Sequence, residues 1–390
     1  MFRRHRLLLI ALSVAVVLLA PTAGAADDSP AGPEIVGGTE VPAGAYPFMA
    51  ALVWSDVPNA RLGLRCGGTL VDPQWVLTAA HCTDAFEAGD FDVVVGRNVL
   101  SSDDGERIAV AEIYEHPGWD SFTFEHDIAL LRLEAAATVG EPIAWVTEPL
   151  AGRAAAGTVV TVTGWGYTED NPPGTGSGVQ NRLREADVPI RTDAECDAAV
   201  PEGEYFPGAM FCAGLPAGGI DSCAGDSGGP TFVRDGDRWR QVGIVSWGYG
   251  CADPGNYGYY TRLSAYGAWI EDTTAIPACE GVPATIVGTP GDDELLGTTG
   301  SDVIVGGAGD DLVSGAAGDD VLCGGPGSDR LVGGPGDDLL SGGDLKDRLL
   351  GGAGSDEIYG GPARDFIKAG SGSDLILGGF GRDVIKAFGG

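Results

Sequence analysis

The chain has 390 residues, a formal net charge of −33, 44% hydrophobic residues and 65 glycines. This length is enough for two or three domains that each bury a core, and the hydrophobic content excludes disorder along the whole chain. The acidic balance argues against nucleic acid or an anionic membrane as a partner, because binding phosphate needs patches of Lys and Arg. It fits a soluble protein that binds cations.

The first 25 residues are predicted to be an export signal. Three arginines precede an apolar run over residues 7–20, and small residues at 23–25 offer a cleavage site. The run is shorter than the roughly 20 apolar residues that cross a bilayer, so a membrane anchor is the weaker alternative. We therefore expect a secreted protein with no membrane span, in a compartment where disulfides persist.

Residues 35–276 are predicted to form an all-β domain. Short β-branched runs alternate there with turns rich in Gly, Pro and Asp. Helical spacing follows over Ser264–Thr273. A linker with two prolines is expected over residues 277–287, and after it the composition changes abruptly.

Three short segments carry a candidate for nucleophilic catalysis. His81 stands in Thr-Ala-Ala-His-Cys, Asp127 in His-Asp-Ile-Ala-Leu-Leu, and Ser227 in Gly-Asp-Ser-Gly-Gly-Pro. A serine hydroxyl becomes a nucleophile at neutral pH when an imidazole accepts its proton, and that imidazole needs a buried carboxylate to orient it. In this order the segments resemble the trypsin-like branch of the chymotrypsin-like serine proteases, and the resemblance covers residues 35–274.

The resemblance implies a fold of two six-stranded antiparallel β-barrels, with the catalytic residues in the cleft between them. It implies that His81 is the general base, Asp127 its orienting carboxylate and Ser227 the nucleophile. The oxyanion hole would be formed by the backbone N–H groups of Gly225 and Ser227, where the neighbouring glycines let the two amides converge.

The resemblance also implies a substrate class. Asp221 lies six residues before the nucleophile, at the base of the primary specificity pocket in trypsin-like members. A carboxylate at the bottom of a narrow pocket is stabilised by a cation, so we expect cleavage after Arg and Lys. Gly258, with Gly248, matches the glycines of the pocket wall. The strand that pairs with the substrate backbone corresponds to Ser246, Trp247 and Gly248.

Activation is expected to follow the family's pattern with one departure. Ile35 begins a segment, Ile-Val-Gly-Gly, that matches the mature N-terminus, so residues 26–34 would be a propeptide. The new ammonium group of Ile35 would pair with the carboxylate of Asp226 and order the pocket. Because the bond to be cut follows Glu34 and not Arg or Lys, we expect a different protease to activate the chain.

The eight cysteines divide into six in the protease region and two outside it. By resemblance, three bridges are expected in the protease region, Cys66–Cys82, Cys196–Cys212 and Cys223–Cys251. Cys279 stands in the linker and Cys323 in the tail. A bridge between them that ties the tail to the protease is favoured over free or intermolecular thiols.

Residues 288–386 divide without a gap into eleven nonapeptides, within a tail that runs to residue 390. The sixth position is Asp and the eighth is Leu, Ile or Val in every copy. A flexible glycine linker would need neither an invariant aspartate nor an invariant aliphatic residue. The repeat resembles the repeats-in-toxin motif, which implies a parallel β-roll that binds calcium between successive coils. Two copies complete one coil, and without calcium the stacked aspartates repel, so the tail should then be disordered.

The copies are not equal, and calcium is expected only at some of them. Copies seven, nine and eleven carry basic residues in their turns, Lys346, Arg364 and Arg382. These copies share one edge of the roll, so binding there should weaken after its first half. The predicted calcium ligands are the remaining sixth-position aspartates, Asp293, Asp302, Asp311, Asp320, Asp329, Asp338, Asp356 and Asp374.

The leading interpretation is therefore a secreted trypsin-like endopeptidase with a calcium-binding tail for stabilisation or attachment. Its expected partners are protein or peptide substrates with Arg or Lys at the cleaved bond, calcium ions and an activating protease. No cofactor is expected for the chemistry itself. One alternative is a calcium-dependent adhesion or binding protein that uses the protease fold as a platform. Another is a membrane-attacking toxin, but no hydrophobic or acylation segment supports it.

Overall fold

A computed structural model of the chain describes residues 35–168, 178–236 and 238–387. The predicted export signal, residues 1–25, and propeptide, residues 26–34, lie outside the described residues. Within the described part, no helix is both long enough and apolar enough to cross a membrane.

The first β-barrel is closed by six antiparallel strands in the order β2-β3-β4-β7-β6-β5. Its alternating apolar side chains, such as Leu52, Val93 and Leu131, are buried in the barrel core. Strands β1 to β7 span Thr39–Glu40, Met49–Trp54, Leu64–Asp72, Trp75–Thr78, Phe91–Val95, Glu106–Glu115 and Ala129–Leu133.

The second barrel is built on an eight-stranded sheet with the order β1-β10-β9-β12-β13-β14-β11, in which β8 pairs in parallel with β13. A bridge between Ile190 and Ala213 joins the end of β10 to β11 and so closes the ring. The predicted double-barrel fold is confirmed, with β1 and β8 added to the six closing strands. Strands β8 to β14 span Ala144–Trp145, Val159–Gly164, Arg184–Pro189, Met210–Ala213, Pro230–Asp235, Arg238–Gly248 and Gly258–Arg262.

Helices are few and short in the described residues. Helix α2 begins at a capping box in which Thr192 and Glu195 exchange side-chain and backbone hydrogen bonds. The predicted helix at Ser264–Thr273 is confirmed as α3, preceded by a 3-10 turn at Leu263–Ala265. Helices α1 to α3 span Ala60–Gly63, Asp193–Ala198 and Gly267–Thr274, and further 3-10 turns span Ala80–Cys82, Ala88–Asp90 and Glu148–Ala154.

The predicted linker is itself folded. Strands β15 and β16, Ala278–Cys279 and Val282–Pro283, form a hairpin, and β17, Ile286–Val287, begins the first sheet of the tail. The strands of the repeats follow as β18 to β28, at Glu294–Leu296, Val303–Val305, Leu312–Ser314, Val321–Pro326, Arg330–Pro335, Leu339–Asp344, Arg348–Ala353, Glu357–Tyr359, Phe366–Ser371, Leu375–Leu377 and Val384–Lys386.

The repeats form the predicted parallel β-roll. Odd-numbered copies supply the odd sheet, β18-β20-β22-β24-β26-β28, and even-numbered copies with β17 supply the even sheet, β17-β19-β21-β23-β25-β27. Val303 pairs with Val321, two copies later, so two nonapeptides complete one coil. Eighth-position side chains fill a thin core between the sheets, among them Ile304, Leu322 and Leu340, each 0% exposed.

The outer side of the even sheet packs on the second barrel. Val303, Val321 and Leu339 belong to the same apolar cluster as Val146 and Val242 of the protease region. Because these outward side chains are covered, the even sheet is an internal interface of the molecule.

The roll is also tied to the protease region by ionic and covalent contacts. The guanidinium of Arg153 pairs with both Asp235 and Glu357. The structure contains the expected disulfide between Cys279 and Cys323. It also contains the three expected within the protease region, Cys66–Cys82, Cys196–Cys212 and Cys223–Cys251.

Candidate active site and candidate calcium sites

Asp127 is the centre of a buried hydrogen-bond network. It lies two residues before the buried strand β7, and its side chain lies beside His81, in the 3-10 turn after β4. The carboxylate lies 2.7 Å from Nδ1 of His81 and accepts the backbone N–H of the same residue at 2.9 Å. The hydroxyl of Ser246 donates to the same carboxylate. These contacts hold the imidazole through Nδ1, so Nε2 is the nitrogen left to accept a proton.

The loop before Asp127 is held in an unfavourable backbone conformation. Phe124 and His126 both have φ of +57°. The ring nitrogen Nδ1 of His126 lies 2.9 Å from the hydroxyl of Tyr266, at the start of α3. This contact anchors the loop to the C-terminal helix and compensates the backbone cost, which is about 1–3 kcal/mol for a residue in this region. The sequence motifs gave no sign of it.

Ser227 lies in a tight turn whose conformation depends on Gly225, with φ of +93°. The backbone N–H groups of Gly225 and Ser227 donate no hydrogen bond to any described residue. Two free amides on one turn can stabilise an oxyanion. Among described residues, Oγ of Ser227 forms no hydrogen bond with His81, a contact that in free enzymes often tightens only when substrate binds.

A cavity of about 280 Å³ runs from Ser227 to Asp221. Asp221 is 3% exposed, its Oδ2 accepts the N–H of Ala252 at 3.3 Å, and its Oδ1 has no hydrogen-bond partner. Burial raises the pKa of Asp221 to about 7. A Cβ at Gly258 would lie 2.6 Å from that Oδ1, so any side chain there would fill the base of the cavity.

The strand predicted to pair with substrate borders this cavity. Ser246, Trp247 and Gly248 all line it, at the end of β13. The ring of Trp247 stacks on Tyr259 of β14 with centroids 4.1 Å apart. The stack holds the wall of the cavity in place.

Ile35 and Asp226 are both buried beside the pocket. Ile35 is 0% exposed, and the next residue, Val36, forms a β-bridge with Asp221. The two carboxylate oxygens of Asp226 accept the N–H groups of Gly166 at 2.7 Å and Cys223 at 2.9 Å. Burial still raises the pKa of Asp226 to about 7. A positive charge nearby would therefore stabilise its ionised form.

The sixth-position aspartates of the roll share one geometry. Oδ1 accepts the backbone N–H of the sixth-position residue one coil earlier, as between Asp320 and Asp338 at 3.0 Å. Oδ2 is buried and has no hydrogen-bond partner in seven described copies, at Asp311, Asp320, Asp329, Asp338, Asp347, Asp356 and Asp365. Unpaired carboxylate oxygens beside backbone carbonyls are the donor set that calcium prefers.

Burial without a counter-charge perturbs these groups. It raises the pKa of Asp329 and Asp356 to about 6 and of Asp338 and Asp347 to about 7. The first-position glycine gives each Oδ2 its room, since a Cβ at Gly315 would lie 2.2 Å from Oδ2 of Asp320. The residues present therefore fit a bound cation.

The predicted calcium ligands differ in whether Oδ2 already has a hydrogen-bond partner. In copies one and two, Oδ2 of Asp293 and of Asp302 accepts both the amide and the hydroxyl of a threonine, Thr289 or Thr298. Those two oxygens are thus already hydrogen-bonded. Asp374, also predicted, is not among the buried unpaired set.

The sequence pattern left out two aspartates that share the unpaired geometry, Asp347 and Asp365. Their copies differ in residue type at the fourth position of the turn. Leu345 and Ala363 have φ of +65° and +102°, a left-handed conformation that glycine adopts at this position in most other copies. The signal that separates Asp293 and Asp302, the threonine at the second position, is readable in the sequence.

Comparison with known proteins follows the same division of the chain. Residues 35–270 match the trypsin family, and residues 287–322, 324–358 and 350–385 match the RTX calcium-binding nonapeptide repeat. The chain belongs to the trypsin family. The predicted enzyme class, a serine endopeptidase, is confirmed by these matches.

Three similar proteins each match about 60% of this chain. The chain is 40% identical to a trypsin of Saccharopolyspora erythraea over 232 residues, 60% of this chain and 94% of the relative. It is 38% identical to serine protease 1 of Rattus norvegicus over 247 residues, 62% and 90% of the two chains. It is 36% identical to trypsin-1 of Astacus astacus over 245 residues, 61% and 98%.

Proposed function

We propose that this trypsin-family protein is a secreted endopeptidase that cleaves after Arg and Lys. The observation that carries the proposal is the unpaired Oδ1 of Asp221, at the base of a cavity that Ser227 borders. A buried carboxylate oxygen without a donor is stabilised by an ammonium or guanidinium group. The long side chain of Arg or Lys would bring that charge to the base while its peptide bond stays at the mouth.

The chemistry follows from the contacts around Asp127. His81 accepts the proton of the Ser227 hydroxyl as Oγ attacks the scissile carbonyl carbon, and the N–H groups of Gly225 and Ser227 stabilise the oxyanion. Asp127, held also by Ser246, stabilises the imidazolium. His81 then protonates the leaving amine, and water attacks the acyl-enzyme with His81 again as base.

Hydrolysis of an arginine anilide by the activated full chain tests the assignment. Ser227→Ala should lower kcat by about 10⁶-fold, because the triad acts as a unit. The variant should keep the melting temperature and the calcium response of the parent. If the anilide is not hydrolysed, or if turnover does not depend on Ser227, the protease-fold adhesion platform becomes the better reading.

Activation is proposed to need a second protease. The burial of Ile35 beside the pocket and the raised pKa of Asp226 support an ammonium–carboxylate pair once the bond after Glu34 is cut. An enzyme selective for Arg and Lys should not cut after Glu34. Precursor carrying Ser227→Ala should therefore stay uncut when mixed with the active enzyme, and trimming to Ile35 would contradict this.

The roll is proposed to bind calcium and so to be stabilised by it. The unpaired Oδ2 atoms would hold the ions, and calcium would supply the positive charge that these buried carboxylates lack. Binding should be weaker along the second half of the odd edge, where Lys346 and Arg364 add positive charge and Leu345 and Ala363 stand in place of glycine. Equal calcium occupancy of both edges in a crystal structure would contradict that gradient.

A further inference from the structure

Lysine and arginine are distributed unevenly along the C-terminal part of the chain. Residues 263–329, which include the linker and the first four copies, contain neither, whereas residues 330–386 contain seven. An enzyme that cleaves after Arg and Lys therefore has no site in the first stretch and several in the second. The seven residues are Arg330, Lys346, Arg348, Arg364, Lys368, Arg382 and Lys386.

One disulfide ends close to the boundary between the two stretches. Cys279 of the linker is bonded to Cys323, the last residue of copy four, so copies one to four lie inside a covalent loop. The first basic residue of the roll, Arg330, follows in copy five. The copies held by the disulfide thus contain no cleavage site, and the copies beyond it contain every site in the roll.

In the folded roll, the bonds after these residues are inaccessible. The basic side chains are exposed, but at five of the seven sites the next residue is at most 3% exposed. These next residues are Leu331, Asp347, Leu349, Asp365 and Ala369. The backbone N–H of Asp347 also donates to Oδ1 of Asp365 at 3.0 Å. Because a protease cleft holds its substrate as an extended segment, cleavage here requires that the roll first unfolds locally.

Two of the sites lie directly before candidate calcium ligands. Lys346 precedes Asp347 and Arg364 precedes Asp365, and both aspartates keep a buried Oδ2 without a hydrogen-bond partner. A calcium ion bound there would hold the residue on one side of the scissile bond. Without the ion, nothing offsets the repulsion between the stacked carboxylates, and this part of the roll opens. Calcium would thus protect the stretch that contains the sites.

The arginines of the trypsin domain are protected by its own fold. Residues 35–262 contain arginine but no lysine. Arg184 and Arg240 are buried, and the exposed Arg234 lies within β12, paired in register with Trp239 of β13. Three disulfides also cross-link this domain. We therefore expect its arginine bonds to resist cleavage when the roll opens.

We propose that, when calcium is scarce, the active site of one molecule cleaves the roll of a second copy after the basic residues of copies five to eleven. Each cleavage adds one water across a peptide bond, which leaves a carboxylate on the Lys or Arg and an amino group on the next residue. The product retains the trypsin domain, the linker and copies one to four, still joined by the Cys279–Cys323 disulfide. Calcium thus decides whether the enzyme keeps its complete roll.

The inference rests on the proposed specificity for Arg and Lys and on the proposed calcium-stabilised roll, so the experiment measures all three. The substrate is the full chain carrying Ser227→Ala, which cannot cleave itself, and the protease is a small amount of the activated parent. The two are mixed in calcium or in a chelator, with an arginine anilide present to report activity. Reducing gels and mass spectrometry identify the cleaved bonds, and calorimetry of the Ser227→Ala chain measures the melting of the roll.

The position of the cuts and their calcium dependence are the expected results. In the chelator, the new C-termini within residues 35–390 should be basic residues of the roll, with residues 35–329 uncut. Calcium at about 100 times its Kd should slow this cleavage about 100-fold or more, since one bound ion lowers the open population by that factor. The rate of anilide hydrolysis should be the same in both conditions.

A site introduced into copy one tests why the first four copies resist. Glu294 is exposed and lies in register with Arg330 through Leu312 of the intervening strand. Glu294→Arg, in the Ser227→Ala chain, should be cut after that position in the chelator. The two parts should separate only after reduction, because the disulfide of the linker joins them. Glu294→Gln, the matched control, should stay uncut there.

The inference is wrong if the anilide is hydrolysed and calcium raises the melting temperature of the roll, yet the roll stays intact in the chelator or is cut equally fast in calcium. It is also wrong if residues 35–329 are cut first. If Glu294→Arg stays uncut, packing protects the first four copies and the absence of basic residues does not. A chain that does not hydrolyse the anilide would overturn the proposed specificity, and this inference with it. A melting temperature that calcium leaves unchanged would overturn the calcium-stabilised roll in the same way.

Discussion

Buried carboxylates differ in their hydrogen bonding between the trypsin domain and the roll. In the trypsin domain, Asp127 and Asp226 are buried, and both carboxylate oxygens of each accept hydrogen bonds. In the roll, seven buried aspartates each keep one oxygen without a donor. Native folds normally satisfy buried polar groups, so a regular row of exceptions indicates a ligand that the chain does not itself supply.

The same criterion singles out Asp221 within the trypsin domain. Its Oδ1 is the one buried carboxylate oxygen without a donor among the described residues outside the roll. Both regions thus contain buried carboxylates with one oxygen that no protein donor satisfies and that a cation could bind. In the proposed function, the cation in the pocket is a substrate side chain, and the cation in the roll is calcium. The trypsin domain can fold before its cation arrives, whereas the thin core of the roll has little else to offset repulsion.

Removing the charge of Asp221 should have the largest effect on activity among the changes considered below. Asp221→Asn should lower kcat/KM for arginine substrates about 10²–10³-fold, because the substrate cation is then buried without a partner. Calcium-dependent melting of the roll should not change. Asp253→Asn, an exposed carboxylate in the loop beside the pocket, is the matched control and should keep near-parental activity. Equal losses in both variants would mean that Asp221 does not contact the substrate.

Calcium removal should destabilise the roll and leave the trypsin domain unaffected. In a chelator we expect the roll to melt on the order of 10 °C lower or more, since an ion present at 100 times its Kd stabilises by about 2.7 kcal/mol per site. The trypsin domain should retain its disulfides and its hydrolysis rate. Scanning calorimetry with and without calcium, alongside anilide hydrolysis, measures both.

Two substitutions in even-numbered copies of the roll test which aspartate oxygens bind calcium. Asp338→Asn removes an unpaired Oδ2 and should reduce the rise in melting temperature on adding calcium. Asp302→Asn alters an oxygen that Thr298 already satisfies, so it should leave the calcium-induced rise unchanged. If the two variants lose the same calcium response, all sixth-position aspartates are equivalent and the unpaired oxygen is not the criterion.

Local motifs predicted both regions, but not the contacts between distant segments. The nucleophile turn and the invariant aspartate are encoded within a few residues, and their resemblance to known families implied the two barrels and the roll. The bridge from Ile190 to Ala213 and the pairing of Arg153 with Glu357 join residues far apart in sequence. Such pairs depend on the packing of whole elements and leave no local pattern.

At the candidate calcium sites, the positions of the aspartates could be predicted from the sequence, but their hydrogen bonds could not. The spacing placed every sixth-position aspartate in a turn, and basic turn residues argued against copies seven and nine. The structure orients Asp347 and Asp365 like their neighbours and gives Asp302 two threonine donors. Whether Oδ2 remains free depends on a threonine four residues earlier in the same turn, a residue that the sequence shows but whose two hydrogen bonds only the structure reveals.

Lowering the pH should weaken cation binding in the pocket. Burial raises the pKa of Asp221 to about 7, so below that pH the free pocket carries a proton and no charge. A cationic ligand binds the ionised form and must release that proton. The affinity of benzamidine for the Ser227→Ala enzyme should therefore fall about tenfold per pH unit below 7 and level off above 8. Asp221→Asn should bind weakly with no such pH dependence, and a flat profile in both proteins would contradict the assignment.

The smallest expected effect concerns backbone strain in the odd edge of the roll. Ala363 has φ of +102°, a conformation that costs an L residue about 1–2 kcal/mol and glycine very little. Ala363→Gly should raise the free energy of unfolding of the calcium-loaded roll by about 0.5–1 kcal/mol, the balance between relieved strain and added freedom of the unfolded chain. Ala308→Gly, in a turn position without positive φ, should instead lower it. Urea unfolding of the two variants compares them, and stabilisation by Ala308→Gly as large as that by Ala363→Gly would show that strain at this turn does not limit the roll.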